Sequence, residues 1–476
     1  MKRIFLTFSI LFACFLATAQ LADKAKHLEI AELIKKEYNA QNYKAIHKVL
    51  DKDFQKQMNE KELADFFKFN VYDGFGAISN LEYSVFKNGL HVFLVICKNG
   101  RLDLTLACNT DGKISSMQWA PHKDSVIEVP TLKNDKYNTD NPKANAWDLK
   151  LDSIVKDYMS TPANCGISIA IYQNKKITYY NYGEVKRGTN QLATHKTIYE
   201  IGSVSKTFTG ILLAQAITDK KVNLNDPIKK HLGEDYSNLS YREKEIELVH
   251  LANHTAGVHR VPFDLAIQPN FDQENPYKNY SREMIYAYMK IMKPEVMPGT
   301  KNEYSNLGMA LLGIIEEKVY NKTFEELITE YICKPLEMTD TKITLTEEDT
   351  KRFANGYNAE GKETPHWDLG ALAGAGGIRS TTEDMMKYAK ANLEETNPVL
   401  KLSHASTFKD AKNNVALAWH IATTKKGNEL IWHNGRTAGF TSFCGFIKSK
   451  DLAVVVLSNS GNPADQIAIG IMKMLQ

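Results

Sequence analysis

Apolar residues recur at three- and four-residue spacing over 23–59, with Leu28, Ala31, Ile34 and Tyr38 on one face and Ile46, Val49, Leu50 and Phe54 continuing it. That period predicts amphipathic helices. It then shortens to two: 81–86, 91–97, 101–108 and 113–119 read as strands. Asn99-Gly100 reads as a two-residue hairpin turn that would set Cys97 opposite Leu102. Helices followed by a curled antiparallel sheet make a small α+β domain over 20–120. Between 121 and 146 the periodicity disappears and Pro, Asn, Asp and Lys dominate, the composition of a linker. From 147 to 476 the pattern predicts one large α/β unit. It begins with a helix over 148–159, a strand over 166–173, a turn at 174–176 and a strand over 177–182. It ends with a strand over 452–457 and a helix over 464–475. A sheet drawn from both ends of the unit, around a helical middle, is the architecture this order predicts.

At 476 residues the chain is too long for one ordinary domain. Hydrophobic residues at 43% and charged residues at 24% are the balance of a globular protein with ample core. A formal net charge of +3 exerts no global pull toward nucleic acid. Residues 1–19 stand apart. Met1-Lys2-Arg3 precedes an apolar run over 4–16 and then Ala17-Thr18-Ala19, the pattern of a secretory signal peptide. The run is shorter than the ~18–20 residues a membrane span needs, and no later stretch is long and apolar enough. Cys14 lies in a faint lipoprotein-like box, but Phe12 fits that box badly and the apolar run continues past it, so lipid anchoring is not expected. The expected location is therefore exported, periplasmic or secreted. Without Cys14, five scattered cysteines remain: Cys97, Cys108, Cys165, Cys333 and Cys444. Odd in number and lacking metal spacing, they read as small buried hydrophobes rather than a disulfide framework. Glu60, Glu62, Asp65 and Asp73 read as solvated surface.

Chemistry enters at Ile201-Gly202-Ser203-Val204-Ser205-Lys206, which opens a helix with an S-x-x-K spacing. Residues three apart share a helical face, so the Lys206 amine can approach the Ser203 hydroxyl. A serine hydroxyl is a weak nucleophile until a neighbouring base takes its proton. Lysine becomes such a base only where burial or a nearby cation disfavours its charge. Ser205 points off that face and reads as structural. In a second segment, Tyr304-Ser305-Asn306, extended backbone would turn Tyr304 and Asn306 into one cleft. A third segment, holding His433-Asn434-Gly435-Arg436, reads as a strand whose glycine admits close substrate approach. Other signals carry less. His250 and His254 have the spacing of zinc ligands, but H-E-x-x-H is absent and both read as bonding nearby backbone. Gly374, Gly376 and Gly377 lack the dinucleotide spacing, and no G-x-S-x-G elbow occurs.

Three such segments in this order resemble the serine β-lactamase and penicillin-binding protein superfamily, in its branch of class C β-lactamases, D,D-carboxypeptidases and esterase-like hydrolases. The likeness extends over about 147–476. Leu251-Ala252-Asn253-His254-Thr255-Ala256-Gly257 resembles the family's LLxHTSG, and AGAGGIRSTT over 373–382 resembles its AGGLxST loop. Residues 335–341 resemble the turn after Y-x-N, with Glu337 where glycine is usual, and 416–419 resembles GLGW. The implied fold is an antiparallel sheet with flanking helices and a helical subdomain. The element order of 20–120 resembles nuclear-transport-factor-2-like or cystatin-like domains. By this resemblance Ser203 is the acylated nucleophile, Lys206 its proton acceptor and Tyr304 the shuttle to the leaving group. Asn306, His433, Asn434, Gly435 and Arg436 would bind substrate, with the N–H groups of Ser203 and Arg436 forming an oxyanion hole. No metal or organic cofactor is implied.

One departure matters: where β-lactamases have K-T-G, this chain has His433-Asn434-Gly435. Lysine is a permanent cation for a substrate carboxylate, whereas histidine is largely neutral above ~6.5. The expectation is an exported serine hydrolase acting through a Ser203 acyl-enzyme on peptide, amide or ester substrates, with D-amino-acid cell-wall peptides among the candidates. A true β-lactamase is the rival among enzymes. A slowly acylating penicillin-binding receptor is the rival of another class.

Overall fold

The structure, a computed structural model, describes residues 24–87, 90–122, 137–294 and 296–476. The leader read at 1–19, Cys14 and residues 123–136 of the linker lie outside these. The chain divides into two compact units, Met1–Pro130 and Thr131–Gln476.

In the first unit, α1 (Lys24–Asn39), α2 (Tyr43–Val49) and α3 (Lys52–Gln57) come from the helical period read in the sequence. The helical layer continues past the predicted end at 59, through α4 (Glu60–Asp65), a π-helical turn (Phe66–Tyr72) and a last turn (Asp73–Phe75). The cause is a capping box. Asn59 Oδ1 accepts from the N–H groups of Lys61 and Glu62, and Glu62 takes the Asn59 N–H. Glu60 and Glu62 are exposed and Asp65 is half-buried, 2.9 Å from Lys61. Strands β1 (Ile78–Lys87), β2 (Leu90–Cys97), β3 (Gly100–Cys108) and β4 (Ile114–Pro121) form an antiparallel sheet in the order 1-2-3-4. Alternate residues Phe93 and Val95 on β2 and Leu102, Leu104 and Leu106 on β3 face the helices, where Ile34, Tyr38, Phe67 and Trp119 complete the core. One expectation is corrected: Cys97 lies opposite Gly100, not Leu102. The N–H groups of Lys98 and Asn99 bind Ala77 O and Phe75 O, and this tie to the helical layer places the turn one residue earlier. All five cysteines of the described chain are free thiols.

In the second unit, α5 (Ala146–Met159), β5 (Gly166–Gln173) and β6 (Lys176–Gly183) open the chain. Helices α6 (Ser205–Thr218), α7 (Asn306–Tyr320) and α8 (Thr382–Glu394) form much of its middle. Strands β7 (Phe408–Lys409), β8 (Asn414–Val415), β9 (His420–Thr423), β10 (Glu429–Arg436), β11 (Thr441–Ile447) and β12 (Leu452–Ser458) precede the final helix α9 (Asp465–Leu475). The sheet is antiparallel in the order β7-β8-β9-β10-β11-β12-β5-β6, so both ends of the unit meet where β12 pairs with β5. Ile167, Ile169, Val454 and Val456 pack beneath α5 and α9 on one face. Ala170, Tyr172, Val455 and Leu457 face the helical layer on the other. Burial on both faces explains why these strands read as unbroken apolar runs. Residues 137–145, linker by composition, instead follow the edge of β6. There Asp140 accepts from the Asn181 backbone (2.7 Å) and side chain (2.6 Å), and Asn141 donates to the Tyr182 hydroxyl (2.7 Å). Glu337 stands at φ 56°, in the left-handed region that favours glycine.

Candidate active site

The turn that carries Ser203 is built by close backbone approach. Gly202 sits at φ 49°, and a Cβ there would lie 2.8 Å from Arg436 N on β10. Ser442 of β11 donates to Ile201 O (2.7 Å), and Ser205 accepts from the Ile378 N–H (3.1 Å), which confirms its structural part. The 3-10 turn Gly202–Val204 then leads into α6, leaving Ser203 half-buried and Lys206 fully buried one turn on. Lys206 Nζ lies 3.0 Å from Ser203 Oγ and donates to Ala375 O. Burial first, and the Arg260 guanidinium second, hold the lysine well below its ordinary pKa. That depression favours the uncharged amine, which keeps one N–H on a carbonyl and a lone pair for the serine proton. Ala375 belongs to the AGAGGIRSTT loop, whose Gly374 O accepts from Thr209 (2.7 Å) and whose Gly374 Cα packs between α6 and α7.

The second wall is laced to the segment before it. Glu303 N donates to His254 O (2.7 Å), Asn306 N to Arg260 O (2.9 Å) and Ser305 N to His254 Nδ1 (3.2 Å). Ser305 caps α7, so Asn306 begins a helix rather than continuing an extended run. Tyr304 faces the site with Lys206 Nζ and the Arg260 guanidinium carbon each 4.9 Å from its ring centroid, and the His254 ring lies tilted against it at 4.5 Å. Burial pushes the Tyr304 phenol up, with Ser203 and Arg260 pulling the other way, so it stays protonated. Asn306 Nδ2 donates to the Tyr277 hydroxyl (3.4 Å), leaving Oδ1 buried without a partner. It makes no bond to Lys206, contrary to the role the resemblance implied. Tyr277 packs edge-on against Trp367 (5.4 Å), whose backbone N–H donates to the Glu200 carboxyl (2.7 Å).

On β10 the alternation of a strand sorts the third motif. His433 and Gly435 face the site. A Cβ on Gly435 would lie 2.9 Å from Ser203 N and 2.0 Å from Ile201 O, so only glycine fits. Asn434 and Arg436 turn their side chains to the other face, where both act on the Asp465 carboxyl. Of Arg436, the backbone approaches the nucleophile. His433 is 1% exposed, its ring 6.2 Å from Tyr304 and 4.9 Å from His420. Nδ1 sits 2.6 Å from Asn434 O, which can only accept, so Nδ1 carries the proton and Nε2 is a buried acceptor without a partner. Burial, His420 and Lys206 keep the ring well below its ordinary pKa, and it is neutral.

Residues 151–472 match the family model described as Beta-lactamase, more than half of the chain. This chain belongs to the beta-lactamase family. Like that family, it is a serine hydrolase. It is 28% identical over 354 residues to a beta-lactamase of Pseudomonas fluorescens, covering 66% of this chain and 93% of that one. A beta-lactamase of Escherichia coli K12 is 28% identical over 337 residues, 63% of this chain and 85% of the other. Protein flp of Staphylococcus aureus is 28% identical over 326 residues, 65% of this chain and 62% of its own length. In fold the chain resembles a beta-lactamase/D-alanine carboxypeptidase from Pseudomonas syringae, with a TM-score of 0.61 and 24% identity over 70% of this chain and all of that one. Three groups in this beta-lactamase-family site escaped the sequence reading: Arg260, His254 as a ring against Tyr304, and His420. None lies in a spacing pattern with Ser203, and only the meeting of loop and sheet brings them there. His250, four residues before His254, accepts from the Glu247 N–H (3.0 Å). Among the described residues no cluster of His, Cys, Asp and Glu is placed to hold a metal, and no helix is long and apolar enough to cross a membrane.

Proposed function

We propose that the protein hydrolyses peptide, amide or ester bonds through an ester on Ser203, in the manner of D,D-peptidases, D-aminopeptidases and related esterases. The observation that carries this reading is the buried Lys206 amine, held well below its ordinary pKa and 3.0 Å from Ser203 Oγ. Ser203 Oγ attacks the carbonyl carbon as its proton passes to Lys206 Nζ. The oxyanion settles against the N–H groups of Ser203 and Arg436, each donor worth about 3–4 kcal/mol of barrier. Tyr304 gives its phenol proton to the leaving group and is reprotonated by Lys206. The reverse path then takes the proton of the water that frees the acid. Asn306 Oδ1, buried and unpaired, would accept an N–H from the acyl side chain. The names of the relatives favour a second reading, β-lactam hydrolysis. The neutral His433 means that β10 does not supply the cation that lysine gives in K-T-G, so a β-lactam carboxylate would have to find its cation elsewhere in the site. The pattern of residues 1–19 supports export. Mass spectrometry after incubation with p-nitrophenyl esters, nitrocefin and D-Ala-D-Ala peptides tests the reading. The expected adduct is on Ser203, with steady turnover of an ester or peptide. An adduct on Ser205, or acylation without turnover, would defeat it.

A further inference from the structure

The described cationic groups around Ser203 differ in whether they keep a charge for substrate. Lys206 is uncharged, as are His254, His420 and His433, all held below the ordinary imidazole value by burial and by one another. The Arg436 side chain lies on the far face of β10, and Lys301 is paired with Glu303 (2.6 Å). Arg260 differs. Its guanidinium lies over Tyr304, 4.9 Å from the ring centroid, on an exposed residue. Among the described residues no carboxylate pairs with it and no side chain bonds it. Its backbone is held in place, because Arg260 O accepts from the N–H groups of Asn306 and Leu307. Over the Tyr304 ring its guanidinium is close enough to act electrostatically on Lys206, His254, Tyr277 and Tyr304.

A guanidinium stays charged and presents a planar fork that matches a carboxylate in two hydrogen bonds. Cations left unpaired at the mouth of a cleft attract anionic ligands and fix their orientation. Resting on the proposed Ser203 mechanism, we infer that Arg260 is the specificity determinant of this enzyme. It selects substrates with a carboxylate on the leaving-group side, next to the atom that Tyr304 protonates. The recognition charge then sits on the loop wall, while β10, with a neutral His433, supplies shape and the oxyanion contacts.

The test uses the full chain and two esters of N-acetyl-D-alanine that differ in one group, the 3-carboxyphenyl and the 3-carbamoylphenyl ester. The wild type should favour the carboxylate in kcat/KM, and Arg260→Gln should lower that preference about 10- to 100-fold, as expected for losing hydrogen bonds to a charged group. Arg260→Lys, which keeps the charge and loses the fork, should fall between. Because the readout is a ratio, a general loss of activity does not mimic it. Should Arg260→Gln fail to fold, the salt dependence of the wild-type ratio replaces it, and the preference should decline as ionic strength rises. A preference that the glutamine variant leaves unchanged would overturn the assignment, as would a wild type that favours the carbamoyl ester or a salt-independent ratio. If neither ester leaves an adduct on Ser203, the acyl-enzyme reading fails instead, a result the mass spectrum separates from the others.

Discussion

The two units fill their interiors differently. In the first, the core is apolar and aromatic, with Tyr38, Phe67 and Trp119 in ring contact beneath the sheet, and His91 (2% exposed) is its buried ionisable side chain among the described residues. In the second, ionisable groups lie inside: Lys206, His254 and His433 are at most 2% exposed, and each is held uncharged by burial and by neighbours of the same sign. Burying such groups costs stability, and here they converge on one serine. The apolar pattern therefore locates both folds, while the chemistry is located by the polar groups that break it.

The sharpest way to break this contrast is at Ser203 itself. Ser203→Ala should lower kcat/KM on an activated ester by at least about 10⁴-fold and abolish labelling, since it removes the nucleophile. Its thermal midpoint should stay close to wild type, because the hydroxyl fills little of the core. Labelling that survived on a residue of the first unit would move chemistry out of the second. Lys206→Met, which keeps the apolar stem, should cost nearly as much. Tyr304→Phe should reduce kcat about 10²- to 10⁴-fold with KM little changed, the range for losing one proton donor. The Lys206→Met/Tyr304→Phe double variant should lose far less than the product of the two. Multiplicative losses would leave only one of them in the proton path.

The contrast sharpens if the second unit works alone. A chain beginning at Tyr137 should fold and keep its ester activity within a few-fold (about threefold or less) of the whole protein. A chain beginning at Asn145 drops the pairs from Asp140 and Asn141 to β6. Each hydrogen bond to a charged group is worth about 1.5–3 kcal/mol, and at ~2–4 °C per kcal/mol the melting point should drop by several degrees. A soluble, folded and inactive 137–476 chain would show that the first unit completes the site.

What could be read from the chain, and what could not, follows the same division. Period-two alternation marked β2 and β3 because one face of their sheet is buried, and S-x-x-K marked Lys206 because its partner is three residues away. The register of the β2–β3 turn was not legible, since both candidate registers keep Phe93, Val95, Leu102 and Leu104 on one face. The tie to Phe75 and Ala77 decides between them. The extra helical turns after Asn59 could have been found, because the capping box Asn59-x-x-Glu62 stands in the sequence. His433-Asn434-Gly435 reads as one motif along the chain, yet the strand sends His433 and Asn434 to opposite faces. Arg260 had no local signal at all. Its importance comes from what surrounds it in space, which no spacing along the chain encodes.

The smallest expected effect is in the pH profile, and it asks whether Arg260 acts on the buried base as well as on the substrate. Lys206 accepts the serine proton only while uncharged. With a neutral ester, kcat/KM should therefore rise as pH rises through the lysine's depressed pKa and stay level above it. Burial is the larger cause of that depression and the Arg260 cation the second. Arg260→Gln removes the second cause alone, so Lys206 takes a proton more readily and the acid limb moves to higher pH. His420, lowered to about 4, stays neutral over nearly all of the range measured. Like His433, it feels Lys206 rather than Arg260 directly, so neither should reverse the direction. His254 does feel Arg260, and loses a depressing neighbour in the same sense as the lysine. The measurement is kcat/KM for the carbamoylphenyl ester from about pH 4.5 to pH 9, a range that spans the acid limb of a general base working near neutrality. A limb displaced upward at an unchanged plateau is the expected outcome. A lowered plateau over an unmoved limb would mean that the guanidinium positions Tyr304 by stacking and leaves the protonation of Lys206 to burial alone.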